Sequence, residues 1–262
     1  MEYPKFGYSR ILHAQYDLEA RVKDQYVGDI NDYRKYALLR ALALGGVNRI
    51  GVCWMLTPSD GRSDGNKLTY LQQPERHRHV DPKLFDVLAH AAAEPDRRRL
   101  ATIENSGAVP GAIYHNELLP DELVGRHAFM GRCAYEFRDV DLIFFDPDNG
   151  LEVSLPKGRK NSSKYLYLDE VAAFYASGKS LLIYQHFPRV ERAVFLARCA
   201  ERLRGAAPGA SLWAFTTAHV VFLLLLHPLS PPRLHSAADA ACSRWAPEFI
   251  SGRFLGIEPA TP

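Results

Sequence analysis

The sequence's main chemical signal is a polar loop launched from an apolar run: Leu142-Ile143-Phe144-Phe145 leads without a break into Asp146-Pro147-Asp148-Asn149-Gly150-Leu151-Glu152. A carboxylate at the end of a buried strand, here Asp146, can accept a hydrogen bond from an amine or ligate a metal ion. Asp148 and Asn149 add further acceptors. The competing explanation is an ordinary turn in which Asp and Asn bond their own backbone. The step from an apolar strand to a loop carrying Asp146, Asp148 and Asn149 favours a site. Two other stretches carry reactive groups. Gln25 to Tyr36 holds Asp29, Asp32 and Lys35 at the start of a helix. The macrodipole alone accounts for acidic residues there, but not for Lys35. Tyr184-Gln185-His186 closes a second apolar run, where His186 could serve as base or hydrogen-bond donor near neutral pH. The same histidine would also suit a purely structural role.

The elements that must position these groups follow from periodicity and punctuation. Asp29 to Leu44 repeats Tyr33, Ala37, Leu38, Ala41 and Leu42 at helical spacing, and Gly45-Gly46 ends it. Arg49 to Leu56 is a strand of the buried type, followed by a loop, Thr57 to Asn66, containing Pro58, Gly61 and Gly65. Asp81-Pro82 supplies a cap and first position for a helix reaching about Ala93. Further helices are expected over Arg97 to Ile103, Pro120 to Met130, Lys164 to Tyr175 and Val190 to Leu203, and a last one over Ala237 to Trp245. Strands are expected at Val140 to Phe145 and Ser180 to Tyr184. Leu212 to Thr217 and Val220 to Leu226 are too close in sequence for a parallel crossover, so they form an antiparallel pair. The reading is an α/β fold: a Rossmann-like, mainly parallel sheet with one reversed strand in a C-terminal hairpin. Residues 1–24 read as an extension and 25–262 as a single domain.

Bulk properties narrow the class. With 262 residues, 47% of them hydrophobic and 24% charged, the chain suits one substantial core and neither a disordered nor a fibrous protein. The net charge of +2, from 32 basic and 30 acidic side chains, leaves a nucleic-acid partner open. Arg76 to His79, Arg97 to Arg99 and Lys157 to Lys160 are the basic clusters, the last only a few residues beyond the Asp146 loop. Cys53, Cys133, Cys199 and Cys242 lack metal-ligand spacing and read as reduced, buried thiols. Met1 to Ala14 has no apolar core of a secretory signal, and Val220 to Leu226 is too short to span a membrane, so a cytoplasmic location is expected.

On these residues the chain resembles the class I S-adenosylmethionine-dependent methyltransferases, and in particular the family that methylates an adenine amino group in bacterial large-subunit ribosomal RNA. That family's motif Gly-Asn-x-Ala-Asp-x-x-Lys-His falls on Gly28 to Tyr36, with Gly28, Asp32 and Lys35 matching and Asp29, Asn31 and Tyr36 differing. Its Asp-Pro-Pro-Tyr loop corresponds to Asp146-Pro147-Asp148-Asn149, in which the second proline and the base-stacking tyrosine are replaced. The resemblance implies S-adenosylmethionine at the carboxyl ends of the first strands, held by Asp32, Lys35, Thr57, Asp60 and Gly61. Asp146 would orient a nucleophilic amine, with Asp148, Asn149 and His186 around it, and the acceptor could be part of a nucleic acid. Two alternatives stay open. Asp29, Asp32, Asp146, Asp148 and Glu152 could bind Mg²⁺ in a nuclease or phosphoesterase, aided by Lys164 or His186. A relative with no tight glycine turn after its first strand could also bind nucleic acid or protein without catalysis.

Overall fold

The computed structural model describes residues 24–46, 49–58 and 65–257. Nearly all of the expected N-terminal extension, and Asp60 and Gly61, lie outside the described residues.

Among the described residues seven strands form the main sheet: β1 (Ile50–Cys53), β2 (Ala112–His115), β3 (Leu142–Phe145), β6 (Ser180–His186), β7 (Ser211–Thr216), β8 (Val220–Leu226) and β9 (Ser251–Ile257). A separate parallel pair joins β4 (Gly150–Leu151) to β5 (Tyr165–Leu166). The principal helices are α1 (Ile30–Gly46), α2 (Pro82–Ala92), α3 (Leu100–Asn105), α4 (Leu123–Glu136), α5 (Leu168–Ala176), α6 (Arg192–Ala206) and α7 (Pro232–Cys242).

The main sheet runs β2-β1-β3-β6-β8-β7-β9. The first four in that order are parallel, whereas β8 is antiparallel to both β6 and β7, and β9 is antiparallel to β7. The fold is therefore α/β with a mixed sheet flanked by helices, a Rossmann-like architecture. Two strands are reversed where sequence periodicity indicated one. The chain leaves β1 for an edge at β2 and returns to the other side of β1 at β3. That reversal opens a crevice at the carboxyl ends of β1 and β3, the usual ligand position in open α/β sheets.

Strand alternation separates two cores. Val52, Phe144, Leu182 and Phe222 face α1, α2 and α7, whereas Cys53, Phe145, Ile183 and Leu223 face α4, α5 and α6. In β3 and β8 every residue is buried, which is why both read as continuous apolar runs. Helix α1 is buried over most of its first three turns, including Tyr33, Tyr36, Leu38, Leu39 and Leu42. Its charged residues are consequently forced into partnerships: Arg40 donates to Asp81 at 2.6 Å and to the Ala108 carbonyl at 2.7 Å. Asp81 also caps α2, accepting from the Leu84 N–H at 3.0 Å, with Pro82 as first helical residue. Cys53, Cys133 and Cys199 are buried free thiols and Cys242 is half-buried. Among the described residues no helix is long and apolar enough to cross a membrane.

Several boundaries differ from the sequence reading. The apolar run Arg49 to Leu56 is a strand only over Ile50–Cys53, because the chain turns at Met55, whose φ is +47°. Such a left-handed conformation in a residue with a side chain costs about 1 kcal/mol or more. Lys164 to Tyr175 divides into β5 and α5 instead of forming one helix. Strands β2 and β9 complete the two edges.

Candidate functional site

The carboxyl ends of β1, β3 and β6 and the start of α1 enclose a cavity of about 480 Å³. Asp32, Lys35, Thr57, Asp146, Asp148, Asn149 and His186 all line it, so the described residues expected to hold the cofactor or orient the amine come to one place. Asp29, Trp54, Lys67, Lys164 and Tyr184 complete much of the remaining wall.

At the floor, Lys35 Nζ lies 2.9 Å from Asp32 Oδ1 and 2.7 Å from Asp146 Oδ2. Asp32 and Lys35 sit one turn apart on α1, and Asp146 is 111 residues further along the chain. The helix start is fixed from several sides. Asp29 accepts from the Asn31 N–H at 2.8 Å and from the Lys67 N–H at 3.1 Å, while Asp32 Oδ2 accepts from the Gly28 N–H at 3.2 Å. Asp29 is thus a helix cap that also anchors the returning loop. Gly28 has φ +82°, a conformation that suits glycine, and Tyr70 donates to its carbonyl at 2.9 Å.

The ammonium of Lys35 also lies 5.3 Å from the ring centroid of Tyr184, 5.7 Å from Trp54 and 5.8 Å from Tyr36. Burial would depress its pKa, but Asp146 and Asp32 outweigh burial and hold it well above its ordinary value. For Asp146 the balance goes the other way: burial pushes its carboxyl up to about 6, with Lys35 opposing. Asp32 is likewise raised by burial against the pull of Lys35. Lys35 is therefore always charged, and the three groups carry one net negative charge when both carboxylates are ionised.

The Asp146 loop is a built structure instead of a self-capped turn. Asp148 Oδ2 accepts from the Thr57 hydroxyl at 2.8 Å, which ties the loops after β1 and β3 together. Gln185 fixes the loop's far end: its side-chain oxygen accepts from the Leu151 N–H at 2.7 Å, and its amide nitrogen donates to the Asn149 carbonyl at 3.2 Å. Gly150 passes between these bonds with φ +104°, and a Cβ there would stand 2.3 Å from Gln185 Oε1. A side chain at that position is excluded by both conformation and space. Asn149 donates its N–H to the Lys164 carbonyl at 2.9 Å, joining the loop to β5. Nothing in the Asp-Asn-Gly spelling of the loop shows that a glutamine from the next main-sheet strand holds it. The apolar run ending in Tyr184-Gln185 was the available signal.

His186 is exposed at the mouth, edge-on to Tyr184 at 5.0 Å between ring centroids. Protein packed against the ring partly desolvates the imidazole and lowers its pKa, which favours the neutral form at pH 7. Of the basic cluster expected to flank the site, Lys157 is directed elsewhere. Lys157 is bound to Asp169 at 2.6 Å and, with Arg126 and Phe174, lines a separate groove between α4 and α5. Arg98 reaches the back of the site, donating to the Val27 and Gly65 carbonyls. It braces the segments that form the cavity rim.

No family model, curated protein or solved structure matches this chain.

The arrangement provides a fixed carboxylate acceptor at a strand end, a permanently charged lysine that orients it, a neutral histidine at the entrance and aromatic faces between them. Among the described residues the cluster with metal-ligand spacing is His115, Glu117 and Glu136, at the end of β2 and outside the cavity wall. Glu117 is already gripped there by Arg132, at 2.5 Å for the shortest approach.

Proposed function

We propose that the cavity is the active site of an S-adenosylmethionine-dependent methyltransferase acting on an amino nitrogen. The observation that carries this reading is the 2.7 Å bond between Lys35 and Asp146. These residues match separate motifs of the methyltransferase family that the sequence resembles, and no spacing rule requires them to meet. Their convergence at the crevice beside β1, with β8 reversed next to the parallel strands, gives the resemblance a spatial counterpart.

The cavity volume lies within the range of small-molecule sites. Its lining suits the cofactor's mixed charge: Asp29 and Asp148 favour the amino and sulfonium groups, Trp54 and Tyr184 offer faces to a cation, and Lys67 complements the carboxylate. Thr57 and Met55 occupy the turn where a glycine-rich loop would be usual, so the cofactor would be held by side chains more than by close backbone approach. S-adenosylmethionine supplies an activated methyl group. The protein's task is to bring a neutral amine into line with it and to keep water out, which accounts for much of the rate in such transfers.

Lys35 fixes Asp146 through Oδ2, leaving Oδ1 to accept from the amine. That bond turns the nitrogen lone pair toward the methyl donor without protonating it. After transfer the nitrogen is cationic and must lose a proton, for which neutral His186 at the mouth is the acceptor with a route to solvent. Asn149, exposed where the family has its stacking tyrosine, leaves Tyr184 and Trp54 as the cavity's aromatic surfaces. The metal-dependent alternative has weaker support, because the Lys35 ammonium already stands between Asp32 and Asp146, two of the oxygen ligands it would need. Glu152, a third, is turned to the start of α5, accepting from the Leu168 N–H at 3.1 Å.

A direct test supplies S-adenosylmethionine labelled in its methyl group together with nucleosides, single-stranded RNA and single-stranded DNA in turn. Label is expected on an exocyclic or primary amino nitrogen of one acceptor. Label on carbon or oxygen would contradict the role given to Asp146.

A further inference from the structure

Beyond the lip of the cavity, Asn31, Lys67 and His186 also form one wall of a second, more open depression of about 760 Å³. The segment Phe187 to Arg192, which follows β6, and His219 from the turn between β7 and β8 line the rest of it. These two segments are locked to each other. The Phe187 N–H donates to the His219 carbonyl at 3.1 Å, Arg192 donates to the Ala218 carbonyl at 2.5 Å, and the Arg192 guanidinium lies 5.0 Å from the centre of the Phe187 ring.

Among the described lining residues of this depression cations outnumber carboxylates. Lys67, Arg189 and Arg192 are exposed cations in its lining. Glu191 is the carboxylate among the lining residues, and it is turned onto the start of α6, accepting from the Ala193 N–H at 2.9 Å and the Val194 N–H at 2.7 Å. Its charge is thus taken up by the helix N-terminus. His219 reports the local field: burial and then the nearby Lys67, Arg34 and Arg192 cations push its pKa below the ordinary value. An anion seated here would meet three cations and two imidazoles able to donate.

We propose that this depression is a phosphate subsite, binding a phosphate ester of the same molecule whose amino nitrogen enters the cavity. The shared wall of Asn31, Lys67 and His186 makes the two spaces continuous, so one ligand can fill both. Arg192, held by the Ala218 carbonyl and the Phe187 ring, and the exposed Arg189 and Lys67 beside it supply the donors and charge that phosphate oxygens take. The link to the amine rests on the methyl-transfer reading; the phosphate subsite does not. The phosphate could come from a mononucleotide or from the backbone of a single strand.

The test measures binding of a short fluorescent single-stranded RNA to the full chain by polarisation, with competition by adenosine monophosphate, across a series of salt concentrations. Two variants are compared with the native protein: the double substitution Arg189→Ala with Arg192→Ala, and Arg189→Glu alone. Arg192 braces the Ala218 turn, so the double variant could disturb the loop; Arg189 is exposed, and its charge reversal leaves packing untouched. Binding is expected to weaken by roughly tenfold in either variant, with the salt dependence flattened by about 0.7 in logarithmic slope for each phosphate no longer neutralised. Competition by the mononucleotide identifies a single phosphate ester as the ligand, and its failure to compete identifies a strand. Native protein that binds neither probe, or variants that bind both with unaltered affinity, would overturn the subsite. A parallel titration of the native protein with S-adenosylmethionine keeps the two ideas separate. Charge-sensitive probe binding without cofactor binding would defeat only the methyl-transfer reading, and the reverse result only the subsite.

Discussion

Replacing Asp146 by alanine should lower methyl transfer by roughly a hundredfold or more while leaving the fold intact. Among the described residues the side chain caps no helix and holds no loop; its side-chain bond is to Lys35, at 2.7 Å. Removing it takes the net charge of the Asp32, Lys35 and Asp146 group from minus one to zero. Lys35 keeps Asp32 at 2.9 Å, so no buried charge is stranded and the stability change should be small. The chemical effect is large because the carboxylate alone orients the amine. The pH dependence follows from the same residue. Burial pushes the Asp146 carboxyl up to about 6, and only the ionised form can accept from the amine. The native rate should therefore fall as pH drops through about 6, and the residual rate of Asp146→Ala should lack that limb. Steady-state turnover across this range tests both points, and unchanged turnover in the variant would remove the loop from the chemistry.

Lys35→Met should destabilise the protein by about 3–5 kcal/mol at neutral pH, the usual cost of stranding one side of a buried ion pair. Here two carboxylates lose their common partner at once. Lys35 and Asp32 side chains are 8% and 5% exposed and Asp146 is 15% exposed, so water can compensate little. Against a typical total stability of about 5–15 kcal/mol, the loss would be plain in a urea titration. Both carboxyls are already raised by burial in the native protein and should rise further without the ammonium. A group with a raised folded pKa binds its proton more tightly when folded. The penalty in Lys35→Met should consequently be smallest near pH 6 and grow as pH rises above it, where Asp146 is ionised in the native protein but still binds its proton in the variant. Adding Asp32→Asn to the same variant should recover part of the stability, a non-additive result expected for residues in one network. Equal stability of native protein and Lys35→Met at neutral pH would return Lys35 to a solvated helix face.

The positions of these groups were partly legible before any coordinates. The Leu142 to Phe145 run and the polar loop after it mark a buried strand and its end unambiguously, because a parallel strand covered on both faces cannot alternate. Asp81-Pro82 was readable as a helix start because cap chemistry is local. Strand β2 was not, since its Ala112, Ile113 and Tyr114 are only partly buried and the element is four residues long. Strand β9 escaped for a similar reason: an edge strand with Gly252 and Gly256 has little apolar pattern to offer.

Within the site, the sequence indicated the catalytic candidates one by one but not their bonds. The Thr57 link to Asp148 joins residues 91 positions apart, and the Gln185 clamp joins β6 to a loop beginning after β3. Such pairings depend on sheet order, which the reversal at β1 decides and local periodicity does not encode. Lys157 illustrates the opposite limit of reading along the chain. Proximity along the chain suggested a role beside Asp146, yet Lys157 is directed to Asp169 at the α4–α5 groove. The depression beside the cavity draws its cations from Lys67, Arg189 and Arg192 instead, supplied by two segments far apart in the chain.

The most direct measurement is calorimetric titration of the purified chain with S-adenosylmethionine and S-adenosylhomocysteine in metal-free buffer. A methyltransferase site predicts saturable micromolar binding of both ligands at one site per chain, preserved in Asp146→Ala. No binding of either ligand at millimolar concentration would contradict the proposed function and direct attention to Mg²⁺ or Mn²⁺ and the phosphate-bearing probes.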